Sequence, residues 1–210
     1  MALEGPSPRS LTMPEDVDII ETTTPFRGYF RIDRYILRHR RHDGGWTDPM
    51  SREIFERGHA VGLLFYDPGR DQVGLIEQFR PGAYAAGWHP WLIEVVAGII
   101  EDGEAPEAVA IREAREEAGV DVADLMPICT YLVTPGGSTE TMRLFCARVD
   151  ASQLSGIHGL AHEGEDIRVF AVAADEAIGW LDSGRVANSM TVIALQWLAL
   201  NRARLRTAWA

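Results

Sequence analysis

GIIEDGEAPEAVAIREAREEAGV, from Gly98 to Val120, decides how this 210-residue chain is read. Gly98 is followed after five residues by Glu104, and after seven more by Arg112-Glu113. Glu116-Glu117 and Gly119 complete a spaced pattern, with Ala114 and Val120 at its aliphatic positions. With each residue type at roughly 5–10% frequency, these fixed identities coincide by accident on the order of once in 10⁸ starts. Pro106 suits a first helical turn, where a missing N–H costs nothing. Gly119 suits a C-terminal stop, so a helix is expected from about Ala105 to Ala118. At about 100° per residue, Ile111, Ala114 and Ala118 share a flank that can pack on a core, while Glu113, Glu116 and Glu117 fall together within an arc of about 100°.

Glu-rich helix faces ordinarily point into solvent. Two features argue for another use here. The three carboxylates gather at the C-terminal end of the helix, where the macrodipole disfavours anions. Glu113 and Glu117 also repel each other as i, i+4 neighbours. A cation answers both problems. Hard divalent ions such as Mg²⁺ take oxygen ligands, keep bound water and need only one or two carboxylates beside a substrate's phosphates. The pattern is therefore read as a metal site.

Outside this segment the chain is 46% hydrophobic, enough for one sizeable core or a main domain with a smaller companion. It has no run of 18 apolar residues and no charged-then-apolar leader, so a soluble cytoplasmic protein is expected. Met1 to Pro25, rich in Pro, Ser, Thr and acids, is expected to be largely mobile. Cys129 and Cys146 each lie in an apolar stretch and read as buried, reduced thiols. The net charge of −11 argues against broad binding of nucleic acid, which needs a basic surface. A small anionic substrate is still compatible, because a bound metal and a few arginines reverse the field locally. The histidines show no metal-ligand spacing, and His89, His158 and His162 read as loop residues without an assignable role.

Strands are expected at Gly28 to Arg38, before a turn at Asp43-Gly44-Gly45, and at Ala60 to Tyr66 and Gln72 to Phe79 around the turn Asp67-Pro68-Gly69-Arg70. Leu92 to Ala97 reads as a buried strand running into Gly98. Further strands are expected at Ile128 to Val133, Thr141 to Val149 and Ile167 to Val172, with helices near Asp175 to Asp182 and Ser189 to Arg202. Ile193, Leu195, Trp197, Leu198 and Leu200 on the last helix read as core rather than a recognition surface. This order gives the α/β class, an α/β/α sandwich around a mixed β-sheet.

The spacing of the Gly98–Val120 segment is that of the Nudix box, and the chain resembles Nudix hydrolases of the bacterial ADP-ribose pyrophosphatase subfamily. The resemblance extends to REIFERGHA (Arg52 to Ala60), LIEQFR (Leu75 to Arg80), TPGGSTE (Thr134 to Glu140), GIHGLAHEGEDIRV (Gly156 to Val169) and MTVIALQWL (Met190 to Leu198). It spans residues from about 27 to the C-terminus. Pro135 stands fifteen residues beyond Val120, where a proline marks that subfamily. Two departures stand out: Pro81 to His89 is unusually rich in glycine and aromatics, and Thr134 replaces a common serine.

The resemblance implies an N-terminal antiparallel β domain, residues 1–57, and a Nudix hydrolase domain, residues 58–210. It implies hydrolysis of ADP-ribose to AMP and ribose 5-phosphate with Mg²⁺, or Mn²⁺ as an alternative ion. Metal ligands are then expected from the Ala97 carbonyl, Glu113 and Glu117, with Glu116 direct or supporting. The late acidic loop offers Glu163, Glu165 and Asp166; alignment makes Glu163 the proton acceptor and Glu165 a further metal contact, roles that the two glutamates could exchange. Arg112 and Glu104 are expected to pair and hold the box loop. Arg80 is expected to meet phosphate and Ile99 to line the pocket. Similar enzymes are domain-swapped homodimers, which would bring Tyr29 and Phe30 to the adenine, joined by Arg52, Glu53 and Arg57. Thr134, Gly136 and Glu140 would hold the terminal ribose or phosphate. The alternatives are hydrolysis of another ADP-sugar, flavin or NADH-type dinucleotide, and a non-catalytic ADP-ribose sensor, against which the intact box argues.

Overall fold

The computed structural model describes residues 15–209, with Glu163 described by its backbone alone. Met1 to Pro14, the first part of the segment expected to be mobile, lies outside the described residues. The described residues divide into two compact units, 15–59 with 131–141, and 60–130 with 142–209.

The first unit is a three-stranded antiparallel sheet of β1 (Val17–Arg27), β2 (Arg31–His39) and β3 (Met50–Glu56), in that order. Expecting Met1 to Pro25 to be largely mobile was therefore wrong from Val17 onward. The register of β1 shifts between Ile19 and Glu21 and again between Thr23 and Phe26, which breaks the alternation that would have revealed a strand. Buried Asp33 fastens the sheet, accepting from the Thr24 hydroxyl at 2.7 Å and from Arg31 Nε at 2.8 Å. The expected turn is present: Gly44 has φ 89° and donates to the Arg41 carbonyl. Segment 131–141 joins this unit along β3, where Phe55 N donates to the Gly137 carbonyl at 2.8 Å and Ser138 Oγ returns a bond to the Phe55 carbonyl.

The second unit holds an eight-stranded mixed sheet. Its strands are β4 (His59–Asp67), β5 (Gln72–Phe79), β6 (Trp91–Glu94), β7 (Val96–Ile100), β8 (Leu125–Leu132), β9 (Thr141–Arg148), β10 (Ser155–His158) and β11 (Ile167–Ala173). The main order is β10-β11-β5-β4-β9-β8, with β6 on β5 and β7 on β4. The β4–β9 pair is parallel, whereas β4–β5, β5–β11 and β10–β11 are antiparallel. Helix α1 (Pro81–Ala85) is a single short piece after β5. Helix α2 (Pro106–Ala118) buries Val109, Ala110, Ala114 and Ala118 against Val61, Leu63, Phe65, Ile76 and Val96. The alternate β4 residues Leu64 and Tyr66 face the other way, the side of α3 (Ala174–Ser183) and α4 (Ser189–Ala208). The α/β class and the small antiparallel companion sheet are as expected.

Three local expectations need correction. Leu92 to Ala97 is not one strand: it changes partners at Val95, whose N–H leaves the ladder and donates to Thr191 Oγ1 at 2.9 Å. Cys129 is exposed rather than buried, because β8 is an edge strand with one face uncovered, whereas Cys146 on inner β9 is buried. His158 is not a loop residue; it closes β10, paired with Ile167. Among the described residues no helix is long and apolar enough to cross a membrane.

The β4–β5 turn is tied to α4 through Asp71, a non-glycine residue with φ 58°. Its carboxylate accepts from the Tyr66 hydroxyl at 2.7 Å and from Arg202 Nε at 2.7 Å, and its carbonyl accepts from Ala174 N. The Arg202 guanidinium holds the Asp71 carboxyl below the usual carboxylate range. A lowered folded pKa contributes stability above the unfolded value and loses it as pH falls through the folded one. Asp71→Asn keeps a residue that tolerates left-handed backbone and removes the charge. The expected cost is about 1–3 kcal/mol at pH 7, shrinking below about pH 4, as read from denaturant midpoints across pH.

Candidate active site

The site begins where β7 hands the chain to α2. Glu104 N donates to the Glu101 carbonyl at 3.1 Å, and Glu104 Oε2 accepts from Glu101 N at 3.0 Å, closing a tight turn with Gly103 at φ 88°. Pro106 occupies the first turn of α2, and Gly119 ends it in the left-handed region at φ 67°, both as the sequence implies. The apolar flank packs inward as expected, with Ile111 half-buried at its margin.

The acidic flank is not a solvated face. Glu113 and Glu117 are only 9% and 3% exposed. Glu113 lies directly over Gly98: a Cβ there would stand 1.9 Å from Glu113 Oε1. The glycine is therefore needed for the close approach of the carboxylate, not for a special backbone angle. Glu117 Oε2 accepts from Ala97 N at 3.1 Å. Burial pushes the Glu113 carboxyl up to about 7, with Arg112 opposing and the charges of Glu116 and Glu165 adding to the rise. Burial also pushes Glu117 up to about 8, opposed by the Ala97 N–H and reinforced by Glu113 and Glu165.

Arg112 is the fastener of this end. It meets Glu113 at 2.9 Å and Glu116 at 3.0 Å, with Glu104 more distant at 3.6 Å. The expected Arg112–Glu104 pair is thus its longest contact. Glu165 accepts from Leu160 N at 2.9 Å on the loop after β10, and Glu163 ends the single 3₁₀ turn Ala161–Glu163 of the same loop.

These groups suit a hard divalent ion. Burial outweighs the one guanidinium at 2.9 Å from Glu113, so both carboxyls are raised, and Ala97 meets Glu117 through its backbone N–H. No three His, Cys, Asp or Glu side chains among the described residues already enclose a metal position.

Arg80 follows the end of β5, and both its Nε and Nη2 meet Glu94 Oε2, at 2.8 and 2.7 Å. Glu94 is only 3% exposed and also accepts from Gln78 Nε2 at 3.2 Å. Sequence reasoning missed Glu94; its signal was a lone acid within the apolar run WLIEVVA. Ile99 is half-buried on β7.

The remaining expected substrate residues belong to the first unit. Phe30 stacks edge-on with Tyr29 at 4.7 Å and with Phe55 at 5.2 Å, and Arg57 lies 5.6 Å over its ring. A cavity of about 290 Å³ is lined by Phe26, Tyr29, Phe30, Arg31, Ile32 and Phe55. Arg57 Nη1 donates at 2.7 Å to Glu140, which is buried. Arg52 and Glu53 are exposed on β3. The Thr134 carbonyl accepts from Gly137 N and Ser138 N, a turn that leaves open space around Gly136.

The model of the NUDIX domain family matches residues 56–207. The chain is similar to the ADP-ribose pyrophosphatase of Escherichia coli (strain K12), with 50% identity over 195 residues and 93% of each chain covered. It is 42% identical over 198 residues to the Haemophilus influenzae protein of the same description, covering 93% of this chain and 91% of that one. A crystal structure of an ADP compounds hydrolase superposes with a TM-score of 0.71 at 18% identity, covering 91% of this chain and 97% of that one, a likeness of fold.

A carboxyl whose folded pKa is raised withdraws stability as pH climbs from the ordinary carboxylate value toward the folded one. For Glu117 that window runs from about 4.5 to about 8. Glu117→Gln retains an acceptor for Ala97 N–H and removes the buried charge. In metal-free protein at pH 9 its melting midpoint is expected a few degrees above the parent's, with the difference vanishing near pH 4; calorimetry across pH checks both ends.

Proposed function

Because the chain belongs to the NUDIX family and is a hydrolase of it, we propose that it cleaves the diphosphate of ADP-ribose to give AMP and ribose 5-phosphate. The carrying observation is the pair of buried carboxylates, Glu113 and Glu117, gathered at the disfavoured end of α2. Support for the substrate comes from the relatives described as ADP-ribose pyrophosphatases, one of them 50% identical over nearly the whole chain.

In this reading Glu113, Glu117 and the Ala97 carbonyl hold Mg²⁺, or Mn²⁺, with Glu116 and Glu165 completing the set. The ion, when bound, polarises the diphosphate, lowers the pKa of water and neutralises the leaving group. Glu163 takes the proton of the attacking water as its oxygen bonds to one phosphorus and the bond to the bridging oxygen breaks. The electron pair of that bond departs with the second phosphate.

The chain's other residues orient the substrate. Glu94 anchors Arg80 through Nε and Nη2, which leaves Nη1 for a phosphate oxygen. Arg112 spans Glu113 and Glu116 and limits their drift apart. Tyr29 and Phe30 offer an aromatic surface to the adenine, and Arg57, steadied by Glu140, offers a guanidinium beside it. Arg52 and Glu53 join them on the adenine and ribose side, Thr134, Gly136 and Glu140 hold the terminal ribose or phosphate, and Ile99 lines the pocket. The working form in this reading is a cytoplasmic homodimer in which the N-terminal region, residues 1–57, of one subunit completes the site carried by residues 58–210 of the other.

Turnover compared across ADP-ribose, ADP-glucose and NADH tests the substrate, and a higher kcat/KM for NADH would displace this reading. Glu113→Gln and Glu117→Gln are expected to lower kcat by about 10²-fold or more while the melting midpoint does not fall. Undiminished turnover in both variants would remove the metal assignment.

A further inference from the structure

We propose that His158 is a positioning residue for the reaction: its imidazole, seated on the last glycine of the Gly98–Val120 motif, sets the height of the acidic loop over the carboxylate end of α2. The inference rests on the hydrolase reading above and assigns a duty that the motif itself does not contain.

The loop from Gly159 to Asp166 leaves β10 and returns to β11 at directly paired positions, since His158 faces Ile167 in the ladder. Pairing at its base alone would let such a loop swing about that base. Two contacts with α2 prevent this. Gly159 N donates to the Glu116 carbonyl at 3.2 Å, taking up a carbonyl near the helix end that has no intrahelical partner. Beside it the His158 ring occupies the space a side chain would fill at Gly119: a Cβ there would stand 2.7 Å from His158 Cε1 and 3.1 Å from Nδ1. Gly119 thus serves twice, ending the helix at φ 67° and providing a flat seat for the ring.

The ring is held in that seat from the far side. Its Nε2 lies 2.9 Å from the Ser155 carbonyl, an acceptor only, so Nε2 carries the hydrogen and donates it. This bond commits Nε2 to the backbone and fixes the plane of the ring over Gly119.

The next residues carry this placement to the acids. Gly159, at φ 101°, lies so close beneath Glu165 that a Cβ would stand 2.7 Å from Glu165 Cβ. The Glu165 carboxylate then accepts from Leu160 N at 2.9 Å. Its charge reaches Glu113 and Glu117, raising the pKa of both. From helix end to imidazole, from imidazole to Gly159 and from Gly159 to Glu165, each link is a direct contact. Loss of the ring leaves a gap over Gly119, the Gly159–Glu116 bond loses its support, and the acids lose their fixed distance from α2. A misplacement of about 1 Å at a reacting group costs on the order of 10²-fold in rate, whereas substrate contacts made elsewhere are untouched.

The test compares His158→Ala with His158→Gln, whose Nε2 stands where the ring Nε2 does and can donate the same bond. Steady-state kinetics on ADP-ribose at saturating Mg²⁺ are combined with amide hydrogen exchange over residues 159–166. In the alanine variant kcat is expected to fall about tenfold or more with KM within about twofold. The Gly159 and Leu160 amides should exchange about tenfold faster. Glutamine should restore kcat to within about threefold of the parent. Alanine with parental kcat and loop exchange overturns the proposal, as does glutamine equally slow or a KM that rises in step with the loss. Failure of the parent protein to cleave ADP-ribose strikes the hydrolase reading alone, since loop exchange still decides the role of His158.

Discussion

The absence of a side chain at Gly98 is the constraint on which the site depends. Any Cβ there would occupy the position of the Glu113 carboxylate, and without that approach Glu113 would be displaced toward solvent, away from Glu117 and Ala97. The consequence is electrostatic. Two carboxylates are held at low exposure within one helical turn, at the helix end where the backbone dipole adds to the cost. A fold that tolerates this arrangement without a cation does so by protonating the carboxyls, which is the direction in which both pKa values move.

Helix α2 meets two opposing demands at once. Small residues at Ala110, Ala114 and Ala118 bring its backbone close to the sheet, so the helix packs rigidly on Val61, Leu63, Phe65 and Val96. The neighbouring flank is thereby carried to the β7 terminus, where Ala97 N–H and Gly98 receive Glu117 and Glu113. Larger residues on the inner flank would lift the helix and separate the carboxylates from that strand. Packing and chemistry are coupled through helix-to-sheet distance, and Arg112 trims the outer margin by bridging Glu113 and Glu116.

Much of this was legible in the residues. The helix limits followed from Pro106 and Gly119, and the inward flank from the 3.6-residue period. Two of the misreadings concern segments whose setting is decided far along the chain. Leu92 to Ala97 looks like one apolar strand because nothing local marks Val95, whose N–H goes to Thr191, 96 residues away. Cys129 sits in an apolar stretch but on an edge strand, and edge position is a property of the sheet order. Strand β1 carries register shifts that erase its alternation. Glu94 was missed because its partners Arg80 and Gln78 reach it only through the β5–β6 pairing.

The sequence by itself determined the chemistry-bearing helix, its acidic face and the family through spacing within about twenty consecutive residues, and the α/β class through the order of locally marked elements along the chain. Tertiary structure alone decided that the acidic face is buried, that Gly98 is small to admit a carboxylate, that Arg80 is anchored by Glu94, and that His158 rests on Gly119. The physical reason is that burial and close approach are set by what the rest of the chain brings into contact. Local periodicity tells which side chains share a face, but only the packed partners set the dielectric around them and hence their charge.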